Sequence, residues 1–210
     1  MTPPAKLPIH GFVLAGGKSS RMGQDKAFLQ FHGQPMIEIA VAKLEQFCAE
    51  VSISANRDDL SQYAPIVTET RLNAGPAAGI EAALQSALQL WILCIPVDVP
   101  LAPAELLYTW ASAVIANTRC TASYLQIDRQ QHPSFCMLQR GCLASVHHAL
   151  ESGERQLSNI LDGLQDSGSI LWRCNVAEIS RDTYSVPLNL LFSNINTQKD
   201  LAAAEAVVIT

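Results

Sequence analysis

The chain has 210 residues, of which 49% are hydrophobic and 16% are charged, and its formal net charge is −5. A chain of this length can bury a core without a metal or disulfides, and its acidic balance argues against broad binding to nucleic acid or to a membrane surface. Its longest apolar stretch, Leu90–Val97, is far shorter than a membrane span of roughly 18 residues. We expect one domain over residues 1–210, with no nucleic-acid or membrane partner.

The N-terminus and the cysteines favour a cytoplasmic location. The first eight residues contain no apolar segment of the kind that secretory signals carry. Six cysteines are scattered along the chain without a C-x-x-C pair. Buried, reduced thiols are therefore expected in place of a disulfide framework or a zinc site.

The first half of the chain predicts strands that alternate with helices. Gly11–Ala15 is apolar and runs into Gly16 and Gly17, which is typical of a buried strand followed by a glycine-rich loop. The segments predicted next are a helix over residues 35–48 that includes Phe47 and Cys48, strands at Val51–Ala55 and Pro65–Glu69, a turn at Asn73–Pro76, and a helix whose apolar stripe runs from Ile80 to Leu88.

The second half continues the alternation. Trp91–Ile95 is continuously apolar, as a central strand covered on both faces would be. The segments predicted after it are a helix at Pro103–Ala116, strands at Cys120–Gln126 and Ser134–Gln139 joined through Asp128–Pro133, helices at Gly141–Glu151 and Arg155–Leu164, a strand at Ile170–Cys174, and a helix after Thr197. This order predicts an α/β fold, a three-layer α/β/α sandwich whose ligands bind beyond the carboxyl ends of the strands.

The strongest functional signal is the thirteen-residue string Leu14–Lys26. Glycines after a strand let backbone N–H groups approach phosphate oxygens, and Lys18, Arg21 and Lys26 supply three cations within nine residues. The string is not a P-loop, because Gly17 stands where that motif requires lysine. A tight turn with solvated charges would account for the glycines but not for the whole string, so we interpret it as a phosphate-binding loop.

The string resembles the signature of the molybdenum cofactor guanylyltransferase family. The resemblance continues in order through Gly75–Ile80, Pro96–Pro100, His132–Pro133 and Asn194–Asp200. It implies a Rossmann-like, mostly parallel sheet of the nucleotidyltransferase type. The implied reaction transfers GMP from GTP to the terminal phosphate of molybdopterin, with Mg²⁺ as cofactor, and yields molybdopterin guanine dinucleotide and pyrophosphate. Proteins that mature molybdoenzymes are candidate partners.

Three side chains are expected to be catalytic. Asp98 follows the apolar strand, where a carboxylate can reach a metal in the crevice, although an aspartate between two prolines also suits a turn. By resemblance it corresponds to the magnesium-binding, nucleotide-site aspartate of the family. Arg21 and Lys26 would stabilise the negative charge that grows as pyrophosphate leaves. Ordinary surface solvation competes with that role and is the expectation for Lys18.

The resemblance also assigns contacts to the nucleotide. Lys26 matches the GTP-binding lysine of the family, and Glu69 falls where the family has a nucleotide-binding aspartate. The extra methylene of Glu69 keeps the charge but shifts its hydrogen bond, which affects recognition of guanine or ribose. The full predicted set is Leu14, Ala15, Gly16, Gly17, Lys26, Glu69 and Asp98.

A second set, Gly79, His132, Asn194 and Asn196, is expected to bind substrate. Asn194 and Asn196 alternate in an extended stretch, so both amides can meet a phosphate or complete a metal shell. His132 precedes a proline, so it either contacts the pterin or shapes a turn.

Two other polar pairs are given structural roles. Thr197 and Asp200 resemble a capping box that starts the last helix. His147 and His148 have no matching third ligand nearby and are interpreted as structural or solvated.

Three alternatives stay open. Cytidylyltransferases of the related kind typically have Leu-Ala-Ala-Gly where this chain has Leu14–Gly17, and the extra glycine favours the larger guanine. A sugar-phosphate nucleotidyltransferase fits the short chain less well. A non-catalytic carrier of the finished cofactor would bind the same groups without releasing pyrophosphate.

Overall fold

Strands and helices alternate along the chain, as the hydrophobic pattern predicts. A computed structural model describes residues 6–16, 25–71, 74–180 and 184–207. The strands are β1 (Leu7–Leu14), β2 (Gln30–Phe31), β3 (Gln34–Pro35), β4 (Cys48–Ser54), β5 (Ile66–Val67), β6 (Trp91–Pro96), β7 (Ala122–Ile127), β8 (Gln130–Gln139) and β9 (Leu171–Asn175). The helices are α1 (Met36–Glu45), α2 (Pro76–Ser86), α3 (Ala104–Ala116), α4 (Leu143–Glu151), α5 (Leu157–Gly163), α6 (Val176–Ile179), α7 (Leu188–Leu191) and α8 (Gln198–Glu205).

The main sheet is mostly parallel. Within the described residues it has seven strands in the order β5-β4-β1-β6-β8-β7-β9. Of these seven described strands, β8 alone runs antiparallel to its neighbours. The carboxyl ends of β4, β1 and β6 therefore meet at one edge of the sheet, where ligands bind in open α/β folds.

Helices cover both faces of the sheet, which confirms the predicted three layers. Along β1, Ile9 and Val13 belong to the core under α1 and α3, whereas Phe12 and Leu14 belong to the core under α2, α4 and α5. Alternate residues of β6 divide between the two cores in the same way. This division follows from the twofold repeat of a strand, and it explains why Trp91–Ile95 is apolar without interruption.

Two predicted helix ends are wrong. Helix α1 ends at Glu45, and Cys48 already opens β4. The Phe47 carbonyl accepts a hydrogen bond from the Leu7 N–H at 2.7 Å, so the chain has joined β1 by that point. Phe47 is nevertheless buried, because the start of β4 and the stripe of α1 share one core. Helix α2 ends at Ser86, and Leu88 is 69% exposed.

The predicted connection between β7 and β8, Asp128–Pro133, is also too long. Strands β7 and β8 form a tight hairpin, with Asp128 at φ 54° in the turn. His132 and Pro133 therefore lie within β8 and not in a loop. Tyr124 pairs with Cys136 but Leu125 pairs with His132, so the residues of β8 between His132 and Cys136 form a bulge. A bulge accommodates Pro133, because no ladder N–H is required there.

The cysteines agree with the prediction of reduced thiols. All six are buried and free, and burial raises the pKa of Cys48 and of Cys174 to about 12. Among the residues that the structure describes, none of the helices combines the length and apolar character that a membrane crossing needs.

Candidate active site

A cavity of about 310 Å³ opens beyond the carboxyl ends of β1 and β6, and we call it the sheet-edge cavity. It collects predicted site residues from the whole length of the chain. Its lining includes Leu14, Ala15, Gly16, Asp25, Lys26, Glu69, Pro76, Pro96, Val97, Asp98, Ser134 and Asn194. The predictions for Gly17 and Arg21, and for Lys18, fall outside the described residues.

Lys26 lines this cavity and contacts oxygens from two distant parts of the chain. Its Nζ donates to Asp98 Oδ2 at 2.7 Å and to Asn196 Oδ1 at 2.5 Å. The Lys26 and Asp98 side chains are 23% and 14% exposed, so water screens this ion pair only in part. The Ile195 N–H donates to the Asp98 carbonyl at 2.9 Å, which fixes the Asn196 segment to the loop after β6.

Asp98 and Asn196 form an oxygen pair that suits a hard divalent cation. Both oxygens converge on one ammonium group, so they lie close enough together to bind a single cation. Across the described parts of the chain, no group of three or more His, Cys, Asp or Glu residues could hold a metal by itself. Mg²⁺ is commonly bound by one or two carboxylates with substrate phosphates completing its shell, and this donor set fits that pattern.

Glu69 also lines the sheet-edge cavity. The Ser54 hydroxyl donates to Glu69 Oε1 at 3.3 Å, and the Glu69 N–H donates to Asn56 Oδ1 at 2.9 Å. Burial raises the pKa of Glu69, and the hydrogen bond from Ser54 opposes this shift. A Cβ atom at Gly16 would lie 2.8 Å from Glu69 Cδ, so the glycine makes room for the carboxylate.

Gly79 lies behind Glu69 and does not line the sheet-edge cavity. It is buried in the second turn of α2. A Cβ atom there would lie 2.9 Å from Ser54 Oγ and 3.1 Å from Glu69 Oε1. Its predicted contact with substrate stays a prediction, whereas its position supports close packing of α2 against the Glu69 carboxylate.

A second cavity of about 490 Å³ adjoins the first, and we call it the hairpin cavity. The two share Ser134 and Asn194. The remaining lining is mostly polar and comprises Gln130, Gln131, His132, Pro133, Asn189, Phe192, Ser193 and Asn196. Burial lowers the pKa of His132, so its imidazole is neutral at pH 7 and can donate one hydrogen bond and accept another.

Sequence reasoning missed Lys43 and Ser134. Lys43 of α1 donates to the Pro100 carbonyl and so anchors the loop that carries Asp98. Burial lowers the pKa of Lys43 to about 7, and the nearby Glu105 opposes this shift. Neither residue belongs to a recognisable motif. The only sequence feature that could have indicated Ser134 is the neighbouring Asp128–Pro133 segment, and no such feature lies near Lys43.

Comparison with known proteins agrees with this geometry. Residues 11–167 match the MobA-like NTP transferase domain. The chain is 32% identical to the molybdenum cofactor guanylyltransferase of Haemophilus influenzae, over 93% of this chain and 96% of that protein. It is 31% identical to the enzyme of that name from Cupriavidus taiwanensis, over 96% and 98% of the two chains.

The fold is also found in a solved structure. The molybdopterin-guanine dinucleotide biosynthesis protein A of Archaeoglobus fulgidus superposes with a TM-score of 0.74 at 21% identity, covering 93% of this chain and 96% of that one. With its sheet-edge cavity and its extensive sequence match, the chain belongs to the MobA-like NTP transferase family and is a nucleotidyltransferase.

Proposed function

We propose that the protein transfers GMP from GTP to the terminal phosphate of molybdopterin, which forms molybdopterin guanine dinucleotide and pyrophosphate. The observation that carries this proposal is the meeting of Lys26, Asp98 and Asn196 at the sheet-edge cavity. Relatives named molybdenum cofactor guanylyltransferase, matched over nearly their whole length, support the choice of substrates.

Two adjoining cavities suit two substrates. In our proposal GTP binds in the sheet-edge cavity, between the backbone of Leu14–Gly16 and the Glu69 carboxylate. Molybdopterin binds in the hairpin cavity, where His132 and Asn194 offer hydrogen bonds to a polar pterin. The shared residues, Ser134 and Asn194, then mark where the acceptor phosphate meets the α-phosphate of GTP.

The proposed chemistry requires positioning more than activation. An oxygen of the molybdopterin phosphate attacks the α-phosphorus, the bond to the bridging oxygen breaks, and pyrophosphate leaves with the electron pair. A phosphate is already a nucleophile near neutral pH, so no covalent enzyme intermediate is needed. Lys26 lies where its ammonium can neutralise charge on the leaving group. Arg21 is expected to act in the same way.

We also propose that the reaction requires Mg²⁺ held by Asp98 and Asn196. The ion, when bound, would neutralise charge on the triphosphate oxygens. Asp98→Asn removes the charge but keeps the shape, so it should lower kcat/KM by at least about 100-fold and weaken Mn²⁺ binding measured by electron paramagnetic resonance. Asp162→Asn, in an ion pair on α5, is the control. Normal activity of Asp98→Asn at limiting Mg²⁺ would leave Asp98 as a turn residue only.

The function is tested by a nucleotide panel. Purified protein is incubated with molybdopterin, Mg²⁺ and either GTP, CTP or ATP, and the dinucleotide product and pyrophosphate are measured. We expect GTP to give by far the highest kcat/KM. A preference for CTP would make the protein a cytidylyltransferase, and binding of the finished dinucleotide without pyrophosphate release would make it a carrier.

A further inference from the structure

Helix α2 carries a buried carboxylate that the proposed reaction does not use. Glu81 is only 1% exposed. Its Oε2 accepts from Arg71 Nε at 2.7 Å, and its Oε1 lies 2.7 Å from His147 Nδ1 on α4. Arg71 also forms an ion pair with Glu151 at 2.5 Å. We call Arg71, Glu81, His147 and Glu151 the α2–α4 cluster.

The cluster is connected to the sheet-edge cavity through the backbone. Arg71 follows Glu69 by two residues, and α2 begins at Pro76, which lines the cavity. On its N-terminal side, Glu69 is held by Asn56. On its C-terminal side, Arg71 is held by Glu81. The segment that presents Glu69 is therefore anchored at both ends, to the loop after β4 and to α2.

Stability alone does not account for Glu81. Burying a carboxylate costs free energy that ion pairs return only in part, and apolar side chains of similar volume are often at least as stabilising. The neighbours of Glu81 on α2 are apolar, for example Ala77 and Leu84. A leucine at position 81 would suit this surrounding but would hold neither Arg71 nor His147.

We propose that Arg71 and Glu81 are positioning residues that hold Glu69 against the nucleotide and so set the affinity for GTP. This inference rests on the proposed function, because it takes Glu69 to contact the nucleotide. The cluster acts from behind the site, since Arg71, Glu81 and His147 do not line the sheet-edge cavity.

Glu81→Leu separates positioning from stability. We expect the variant to fold, because Arg71 keeps its ion pair with Glu151. Its Kd for GTP should rise about tenfold, as expected when one hydrogen bond to a charged group is weakened. The KM for GTP should rise with it, and kcat should change much less. Arg71→Met provides a second route to the same effect. Asp162→Leu removes the ion pair of Arg173 on another part of the surface and should leave the Kd unchanged.

A double-mutant cycle shows whether Glu81 acts through Glu69. In a Glu69→Ala background, Glu81→Leu should no longer change the Kd. An undiminished effect in that background would overturn the positioning role, as would a folded Glu81→Leu or Arg71→Met protein with the wild-type Kd. The Kd is measured with the nucleotide that the wild type prefers. A preference for CTP would overturn only the guanylyl assignment, and the positioning role would then be tested with CTP.

Discussion

At the scale of single residues, Lys26 joins two oxygens from distant parts of the chain. Its contacts to Asp98 and Asn196 measure 2.7 and 2.5 Å. The ammonium therefore contacts the same two oxygens that we assign to magnesium. With the ion bound, Asp98 would be one of its ligands and Lys26 would contact the phosphates, because two cations at one carboxylate repel each other.

Lys26→Ala should reduce kcat/KM by at least about 100-fold, because it removes one cation that stabilises the transition state. Circular dichroism should show that the fold is retained. Lys6→Ala is the matched control, since Lys6 is an exposed lysine at the opposite end of β1, and it should be nearly neutral. If steady-state assays with saturating molybdopterin find both variants equally active, then Lys26 does not contact the triphosphate.

Gly16→Ala tests whether the position of Glu69 matters. The new Cβ would lie 2.8 Å from Glu69 Cδ, so the carboxylate must move. We expect the KM for GTP to rise about tenfold, comparable to the loss of one charged hydrogen bond. Gly141→Ala is the control, because no atom lies within 4 Å of a Cβ at that position. Unchanged kinetics of Gly16→Ala would show that GTP binds without help from Glu69.

At the scale of elements, the start of α8 completes the site. Thr197 Oγ1 accepts from the Asp200 N–H at 3.1 Å, and Asp200 Oδ2 accepts from the Asn196 N–H at 3.0 Å. The predicted capping interaction is thus confirmed. The Asp200 carboxylate accepts from the N–H of Asn196, one residue before Thr197, whereas a capping box would use the N–H of Thr197 itself. The cap therefore orients the residue that contacts Lys26.

Thr197→Ala should lower the free energy of unfolding by about 1 kcal/mol and the melting temperature by about 2–4 °C for a chain of this size. Thr109→Ala is the control, since Thr109 lies inside α3 and bonds the Glu105 carbonyl. Alanine suits a helix interior, so no destabilisation is expected there. Equal melting temperatures for Thr197→Ala and the wild type, measured by calorimetry, would contradict the capping role.

At the scale of the whole molecule, the stability of the fold should depend on the neutral state of His10. This buried side chain accepts from the Leu88 N–H at Nδ1, 3.2 Å away, and its Nε2 lies 2.9 Å from Ser52 Oγ. Burial lowers the pKa of His10 below 6.5, and Glu50 opposes this shift only in part. Between the lowered pKa and 6.5, the unfolded chain binds a proton that the folded chain does not.

The contribution of His10 to stability should therefore be constant above the unfolded pKa of 6.5 and fall as the pH decreases below it. Urea unfolding at about pH 7.5 and about pH 5.5 measures this decrease as a lower midpoint in acid. His10→Gln should reduce the decrease. His132→Gln should reduce it too, because burial lowers the pKa of His132 in the same direction. If His10→Gln loses as much stability between the two pH values as the wild type does, groups other than His10 cause the decrease.

The layers of the fold and the sheet edge that holds the cavity could both be predicted from local sequence patterns. The uninterrupted apolar run Trp91–Ile95 was enough to predict a central strand, because such a pattern is local. Asp98 follows this strand, so it was predicted to bind a ligand at the edge of the sheet. Helix ends were less predictable. Phe47 and Cys48 are buried whether they end a helix or begin a strand, because both elements share one core, and only pairing with Leu7 decides between them.

Only the tertiary structure decided which side chains meet. Lys26 and Asn196 are 170 positions apart, and Glu81 finds His147 on a different helix. No local pattern encodes such contacts, because they depend on how the helices and the segment before α8 pack around the sheet. The motifs therefore indicated the sheet edge at which the cavity lies, whereas the packing placed Glu69 next to Gly16 and the α2–α4 cluster behind it.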